Sequence, residues 1–354
     1  MPCLFAAFEI CHRSHSPLCS LFQIPKSTKI QDKIAQLILS PLLSRARGTR
    51  LHDTYSLNHL HSYMRLIKMT GGLGNQMFIY AFYMKMKRLF PNTRIDLSDM
   101  MHYHVHNGYE LHRIFQQLPE DEFCMPQKTK KVIEFLFFKT ILERKQDLTT
   151  LRAFFKRRLW PLVYFKGFYQ DERYFKDIED EVRGAFAFNT ALCNEKTLRM
   201  LRQIEADEDA VSLHVRRGDY LQPSVWRNTG CVCQLPYYRD AVRQLEERLP
   251  RTPHYYVFSD DIEWATAHLP LKNATFITWN KADESWQDML LMSRCRHHVI
   301  CNSTFSWWGA WLNPRRDKIV MAPARWSALA EIPYICPKDW TLVPVKFDAT
   351  QAPQ

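Results

Sequence analysis

The feature that most constrains this chain is a series of short apolar runs, each followed by a helical stretch, that begins at residue 210. Val211, Leu213 and Val215 alternate with Ser212 and His214 and read as a strand over 211–215. A helix from Pro236 to Leu249 follows, with proline at its first position. "HYYVFS" (His254 to Ser259) is a second strand ending at Asp260 and Asp261, and "TFITW" (Thr275 to Trp279) is a third. The helical "ESWQDMLLMSRC" (Glu284 to Cys295) leads to the strand "HVIC" (His298 to Cys301), a further helix in "WWGAWL", and the strand "KIVMA" (Lys318 to Ala322). Four or five strands alternating with helices predict a parallel, doubly wound α/β sheet. Such a sheet binds ligands at the C-terminal ends of its strands.

A similar alternation opens upstream. Arg65 to Met69 is a strand, "TGGLGNQ" a glycine turn, Asn75 to Phe90 a helix closed by Pro91, and "RIDL" (Arg94 to Leu97) a further strand. Residues 100–205 are rich in aromatic and basic side chains and show no clear period. Their densest part, "RAFFKRRLWPLVYFKGFYQ" (Arg152 to Gln170), interleaves rings with cations in a way that suits stacking on sugars or bases. A core element with a basic outer face is the plainer reading. Residues 1–63 lack a basic segment leading into an apolar core, so they make a poor signal peptide. They read as a non-catalytic extension, disordered or an over-long start, with a membrane-surface helix as the alternative. The working division is therefore 1–63, an N-terminal α/β domain at 64–209, a Rossmann-like domain at 210–345, and a tail at 346–354.

At 354 residues the chain is long enough for two domains. Its 48 Lys and Arg against 37 Asp and Glu give +11, which favours an anionic partner without choosing between nucleotide, nucleic acid and membrane surface. Ten cysteines include no C-x-x-C pair, which favours reduced thiols in a cytoplasmic protein. "CRHHVIC" (Cys295 to Cys301) and the "HYHVH" run (His102 to His106) lack a second cluster that would make either a zinc site. No apolar run reaches the roughly 18 residues of a membrane span.

Three motifs fall at strand ends. "GGLGNQ" (Gly71 to Gln76) joins a strand to a helix N-terminus, where backbone N–H groups favour anions. It has methionine at the third glycine position of the dinucleotide fingerprint, and a plain tight turn explains it equally well. "HVRRGDY" brings Arg216 and Arg217, whose forked donors suit phosphate, together with Asp219, which could instead pair with them. "CNSTFSWWGAWLN" (Cys301 to Asn313) clusters Asn302, Ser303 and Thr304 before a helix; a helix N-cap is the plainer role for Ser303 or Thr304. Trp307, Trp308 and Trp311 suit a helix face packed into the core.

In this order and spacing, "GGLGNQMF", "HVRRGDY", "YYVFSDD" and "NSTFSWWGAWL" resemble the bacterial α-1,2-fucosyltransferases of glycosyltransferase family 11. The resemblance runs from about Met64 to Pro337. It implies a GT-B-like two-domain enzyme with a Rossmann-like C-terminal donor domain. It also implies inverting, metal-independent transfer of L-fucose from GDP-β-L-fucose to the 2-hydroxyl of a terminal galactose, with no cofactor beyond that donor. Arg216 matches the family's phosphate-binding arginine, with Arg217 as a supporting charge or ion-pair partner and His214 near the nucleotide. Asp288 is the candidate acceptor for guanine N–H groups, although exposure on a helix surface would explain it too. Asn302, Ser303, Thr304 and Phe305 would line phosphate and ribose, and Asn75 would reach across the cleft toward phosphate or acceptor. Asp219 is a candidate general base, or it fixes the arginines.

The acceptor implied is a galactose-terminated oligosaccharide or a lipid-linked surface glycan, and no nucleic-acid partner is expected. Action in the cytoplasm is expected, with peripheral membrane association left open. Another GDP-sugar transferase and a nucleic-acid-binding protein are the competing readings. A donor panel separates the first, and salt-dependent oligonucleotide affinity the second.

Overall fold

The computed structural model describes residues 64–100, 107–115, 122–123, 139–143, 162–329 and 335–346. The extension at 1–63, the histidine run at 102–106, residues 152–161 and the tail from 347 lie outside the described residues. Contacts divide the chain into Met1–Ser62 and Tyr63–Gln354, and the elements below belong to the second unit.

The first sheet begins with β1 (Met64–Lys68), whose residues are almost wholly buried. Helix α1 (Leu73–Leu89) follows, then β2 (Thr93–Asp96), β3 (Glu122–Phe123), β4 (Lys139–Leu142) and β5 (Leu162–Lys166). Their spatial order is β3-β2-β1-β5-β4, and every pairing is parallel. Helices α2 (Glu179–Ala185) and α3 (Glu195–Ala206) lead to the second sheet; Asn194 caps α3 by accepting a hydrogen bond from the Thr197 N–H.

That sheet contains β6 (Ala210–Val215), α4 (Leu235–Glu246), β7 (His254–Ser259), α5 (Ile262–His268), β8 (Ala274–Ile277), α6 (Trp286–Arg294), β9 (His297–Val299), α7 (Thr304–Leu312), β10 (Val320–Pro323) and β11 (Thr341–Val343). Its order, β11-β10-β9-β6-β7-β8, is again parallel throughout. Numbered within the sheet, the strands run 6-5-4-1-2-3, the Rossmann order. The chain is thus an α/β protein with two parallel sheets, the GT-B-like plan expected, and its C-terminal sheet is Rossmann-like. β11 did not appear in the sequence pattern.

The alternation along β6 suggests one wet face, yet all six of its residues are buried. A central parallel strand is covered on both faces, so its polar side chains must find partners inside. Ser212 Oγ lies 2.8 Å from His298 Nδ1, and Asn313 Nδ2 meets the same imidazole at 2.8 Å through Nε2. His297 accepts the Ile319 N–H at 2.9 Å. Hydrogen bonds inside the sheet account for both histidines of "CRHHVIC". Among the described residues, no group of three His, Cys, Asp or Glu side chains is placed to hold a metal.

The largest apolar cluster joins the two halves. Eleven residues of α1 are buried because the helix is packed against α7 as well as its own sheet. The Phe78 ring sits 4.5 Å from Trp307 and 4.9 Å from Trp308, and Phe175 stacks on Trp308 at 5.8 Å. Trp307 and Trp311, one turn apart, lie nearly parallel at 6.0 Å. Truncating a buried tryptophan of this kind costs about 3–5 kcal/mol, so these rings fix the helix junction on which the candidate site is built.

Candidate active site

The order of the second sheet has one topological switch point, between β6 and β9, and that crevice is where an open α/β sheet binds its ligand. The loop after β6 carries Arg216, Arg217, Gly218 and Asp219; the loop after β9 carries Asn302 and Ser303 and enters α7 at Thr304. Tyr220 ties the two loops together by donating its hydroxyl to the Asn302 carbonyl at 3.0 Å.

The two arginines are treated differently. Arg216 keeps about a third of its side chain exposed and pairs with Asp219 at 2.7 Å and Asp260 at 3.1 Å. Burial would lower its pKa, but the Asp260 and Asp219 carboxylates outweigh burial and raise it. Arg217 is buried, pairs with Asp261 at 2.9 Å and lies 4.2 Å over the Trp264 ring. Arg216 is therefore the arginine that faces the crevice, and Arg217 anchors the loop. Asp219 holds Arg216 through Nε and Nη2, the pairing that the sequence set against a role as base.

Asp260 and Asp261 were not among the residues singled out for this role. Asp260 also accepts the Arg217 backbone N–H at 2.7 Å, and Asp261 caps α5 by accepting from the Trp264 N–H. The signal lay in the register: Val215 pairs with Ser259, so the next residues, Arg216 and Asp260, are brought side by side. Two carboxylates already answer Arg216, so a phosphate there must share or displace them.

His214 is buried two residues before Arg216, with Nδ1 3.3 Å from the Cys301 thiol and its ring 5.8 Å from Phe305. Burial lowers its pKa to about 4, so near neutrality it is an uncharged neighbour of the crevice. Burial pushes the Cys301 thiol up to about 12, which leaves it inert. Asn302 spends both amide protons on the Thr229 and Trp326 carbonyls, at 2.9 and 3.1 Å, and braces the loop from within. Ser303 caps α7 by accepting from the Phe305 N–H at 3.3 Å, the plainer role foreseen for it.

The glycine turn meets this second site directly. A Cβ on Gly74 would lie 2.6 Å from the carbonyl carbon and Oγ1 of Thr304 and 2.8 Å from the Phe305 nitrogen. Only glycine lets the N-termini of α1 and α7 approach so closely. The Trp308 indole N–H donates to the Gly74 carbonyl at 2.9 Å and closes the junction. Asn75, half-buried beside it, accepts from Gln170 Nε2 at 2.7 Å. Asn75, Thr304, Ser303 and the Arg216 loop thus surround two helix N-termini, whose partial positive charge favours an anion.

Asp288 stands in the first turn of α6, which follows β8. The residue is half-buried, and its carboxylate accepts from the buried Asn280 Nδ2 at 2.8 Å. Burial raises its pKa to about 7, against the lowering effect of the Asn280 bond. The carboxyl is therefore not on an open helix surface. β8 stands two strands from β6, about 10 Å along the sheet edge.

Fold and site together define an α/β protein whose Rossmann-ordered sheet offers an arginine and converging helix N-termini to a phosphate-bearing ligand. The sequence profile of glycosyl transferase family 11 matches residues 43–341, and the chain belongs to that family: it is a glycosyltransferase. The match begins inside the stretch read as an extension. An alpha-1,2-colitosyltransferase of Escherichia coli is 30% identical over 289 residues, 78% of this chain and 97% of the relative. The O-antigen biosynthesis glycosyltransferase WbnK of Escherichia coli is also 30% identical, over 73% of this chain and 94% of its own. A galactoside alpha-(1,2)-fucosyltransferase 1 of Ateles belzebuth is 28% identical over 43% of each chain. Among solved structures, fucosyltransferase NodZ from Bradyrhizobium aligns at a TM-score of 0.46 and 11% identity, over 71% of this chain and 94% of its own. No helix of the described residues is long and apolar enough to cross a membrane.

Proposed function

We propose that this chain is an inverting galactoside α-1,2-fucosyltransferase that moves L-fucose from GDP-β-L-fucose to the 2-hydroxyl of a terminal galactose. The observation that carries this reading is that the Arg216 loop is tied by Tyr220 to the loop entering α7 at the Rossmann switch point, in a family 11 chain. As the bond from fucose C1 to the β-phosphate oxygen breaks, negative charge grows on GDP, and fixed donors aimed at that oxygen lower the barrier. Arg216 and the backbone N–H groups opening α7 would receive it, with Ser303, Thr304 and Phe305 beside the phosphate and ribose and His214 behind them. Asn302 and Arg217 would hold the loops in place.

Asp288, on the helix that follows β8, would accept the guanine N1–H and amino group once ionised. The acceptor hydroxyl attacks C1 from the opposite face and gives up its proton to a base. Asp219, in the same loop as Arg216, would be that base, freed in part when the diphosphate takes over Arg216. Under this reading residues 64–209 serve the acceptor and 210–345 the donor, the reaction needs no metal, and the enzyme works in the cytoplasm on an oligosaccharide or lipid-linked glycan.

Colitose in place of fucose is a second reading, favoured by the relative that is 30% identical over 97% of its length. The test is calorimetric titration of GDP and GDP-fucose into the wild type and Arg216→Ala, followed by transfer assays. The reading expects GDP binding by the wild type and transfer at least about 100-fold lower in the variant, measured on variant that circular dichroism shows to be folded. Transfer by Arg216→Ala within threefold of wild type would refute Arg216's role.

A further inference from the structure

The first sheet has a switch point of its own. Its order, β3-β2-β1-β5-β4, reverses between β1 and β5, and a crevice at that place is a ligand position in an open α/β sheet. The donor reading uses the equivalent crevice of the second sheet and gives this half of the chain to the acceptor without naming a residue that holds it. Two loops border it: the glycine turn after β1 and Gly167–Gln170 after β5, the end of the aromatic and basic stretch for which the sequence offered sugar stacking. Gln170 bridges the two by donating to Asn75 at 2.7 Å.

The loop after β5 is held firmly and still presents a ring to solvent. Glu143 accepts the backbone N–H groups of both Phe168 and Tyr169 at 2.8 Å through one oxygen. A Cβ on Gly167 would collide with the Glu143 side chain, so glycine is required above that carboxylate. Tyr169 adopts φ +53°, a conformation unfavourable for a residue with a Cβ. It is kept there fully buried, stacked on Phe82 at 3.8 Å and edge-on to Tyr174 at 5.6 Å. Strain held in this way is characteristic of ligand clamps. What the clamp exposes is Phe168, at 42%, with Leu142, at 63%, on the neighbouring strand end where Leu142 pairs with Lys166.

We propose that Phe168 is the stacking platform for the acceptor at this crevice, lying against the hydroxyl-poor face of the acceptor's terminal pyranose. A galactose ring has one face of C–H groups, and an aromatic ring carried on a firmly held backbone can cover that face and remove it from water. Asn75 and Gln170, at the rim nearest the donor site, supply hydrogen-bonding groups for the ring's hydroxyls. The proposal rests on the reading of the chain as a transferase with a galactose-terminated acceptor.

The test uses the full chain and lactose as the probe. Saturation-transfer NMR without donor measures lactose binding to the wild type, Phe168→Ala and Phe168→Tyr. Steady-state kinetics with GDP-fucose then separates the acceptor KM from kcat and the donor KM. Binding should weaken and the acceptor KM rise about tenfold in Phe168→Ala, about 1.4 kcal/mol. Phe168→Tyr should stay within twofold of wild type, and kcat and the donor KM should hold throughout. Equal lactose binding by wild type and Phe168→Ala would overturn the proposal. So would a wild type that does not contact lactose, or a Phe168→Ala whose kcat and donor KM shift with its acceptor KM. Because the NMR arm contains no donor, lactose binding that depends on Phe168, without consumption of GDP-fucose, would uphold the subsite and reject the fucosyl donor.

Discussion

Replacing Gly74 by alanine places one methyl group where the two halves of the site meet. Its Cβ would stand 2.6 Å from Thr304 backbone carbon and 2.8 Å from the Phe305 nitrogen, whereas carbon contacts are comfortable at about 3.5–4.0 Å. The helix N-termini would have to part by about 1 Å. The Trp308-to-Gly74 hydrogen bond and the rings of Phe78, Trp307 and Trp308 resist that movement. Overpacking in a closed core costs about 1–3 kcal/mol, and a backbone obstacle belongs at the upper end. With about 2–4 °C per kcal/mol for domains approaching this size, Gly74→Ala should melt about 5–10 °C below wild type. A misplacement of about 1 Å at a reacting centre also costs up to about 100-fold in rate, so transfer should fall further than the folded fraction does. Gly184, within α2, is the control: nothing lies within 4 Å of its Cβ position. Gly184→Ala should be neutral or stabilising by up to about 1 kcal/mol. Thermal melts and initial rates read both variants. A Gly74→Ala that melts with the wild type and retains its rate would refute the close helix junction.

Arg217→Ala should destabilise the chain by about 3 kcal/mol, because it leaves Asp261 without its buried partner; urea melts check this, and a loss below about 1 kcal/mol would contradict the anchoring role. Asp288 titrates at about 7 when folded and near 4 when unfolded. The folded state therefore holds the extra proton between those values, and wild-type stability falls as pH rises from about 4 to 7, then levels off. The cost is on the order of 4 kcal/mol, so Asp288→Asn should match wild type at pH 4 and exceed it at pH 8; a gap that narrows with pH would be the wrong sign. Guanine recognition by the ionised carboxylate adds that GDP affinity should rise through about pH 7 in the wild type and stay flat in Asp288→Asn, as calorimetry at pH 5.5 and 8 would show.

Much of both central sheets could be read in advance where apolar strands stand next to amphipathic or apolar helices. "HYYVFS" forms a strand over the expected residues, and the helix expected at 75–90 occupies Leu73–Leu89. β11 was missed because three residues at a sheet edge leave no period to detect. The segment from 100 to 205 was opaque for a related reason: β3 and β4 are two and four residues long, and their pairing is set by neighbours distant in sequence. Site residues divide along the same line. Arg216 and Ser303 stand at strand ends and announce themselves by type and position. Asp260 matters only through cross-strand register, and periodicity alone could not tell a half-buried Asp288 from one on a wet helix face. The left-handed Tyr169 and the glycine above Glu143 depend on tertiary packing, so the loop that exposes Phe168 showed in the sequence only as a cluster of rings.

The central claim is the transfer of fucose to the 2-hydroxyl of galactose from a GDP-linked donor. It is tested most directly by incubating the full chain with GDP-fucose and lactose, in parallel with a colitose donor, with and without EDTA, and weighing the products. The account predicts GDP release and a product heavier by one fucose, formed equally in EDTA and cleaved by an α-1,2-specific fucosidase. GDP-fucose left unconsumed while the colitose donor is transferred, or a fucosylated product that resists the α-1,2-specific enzyme, would contradict it.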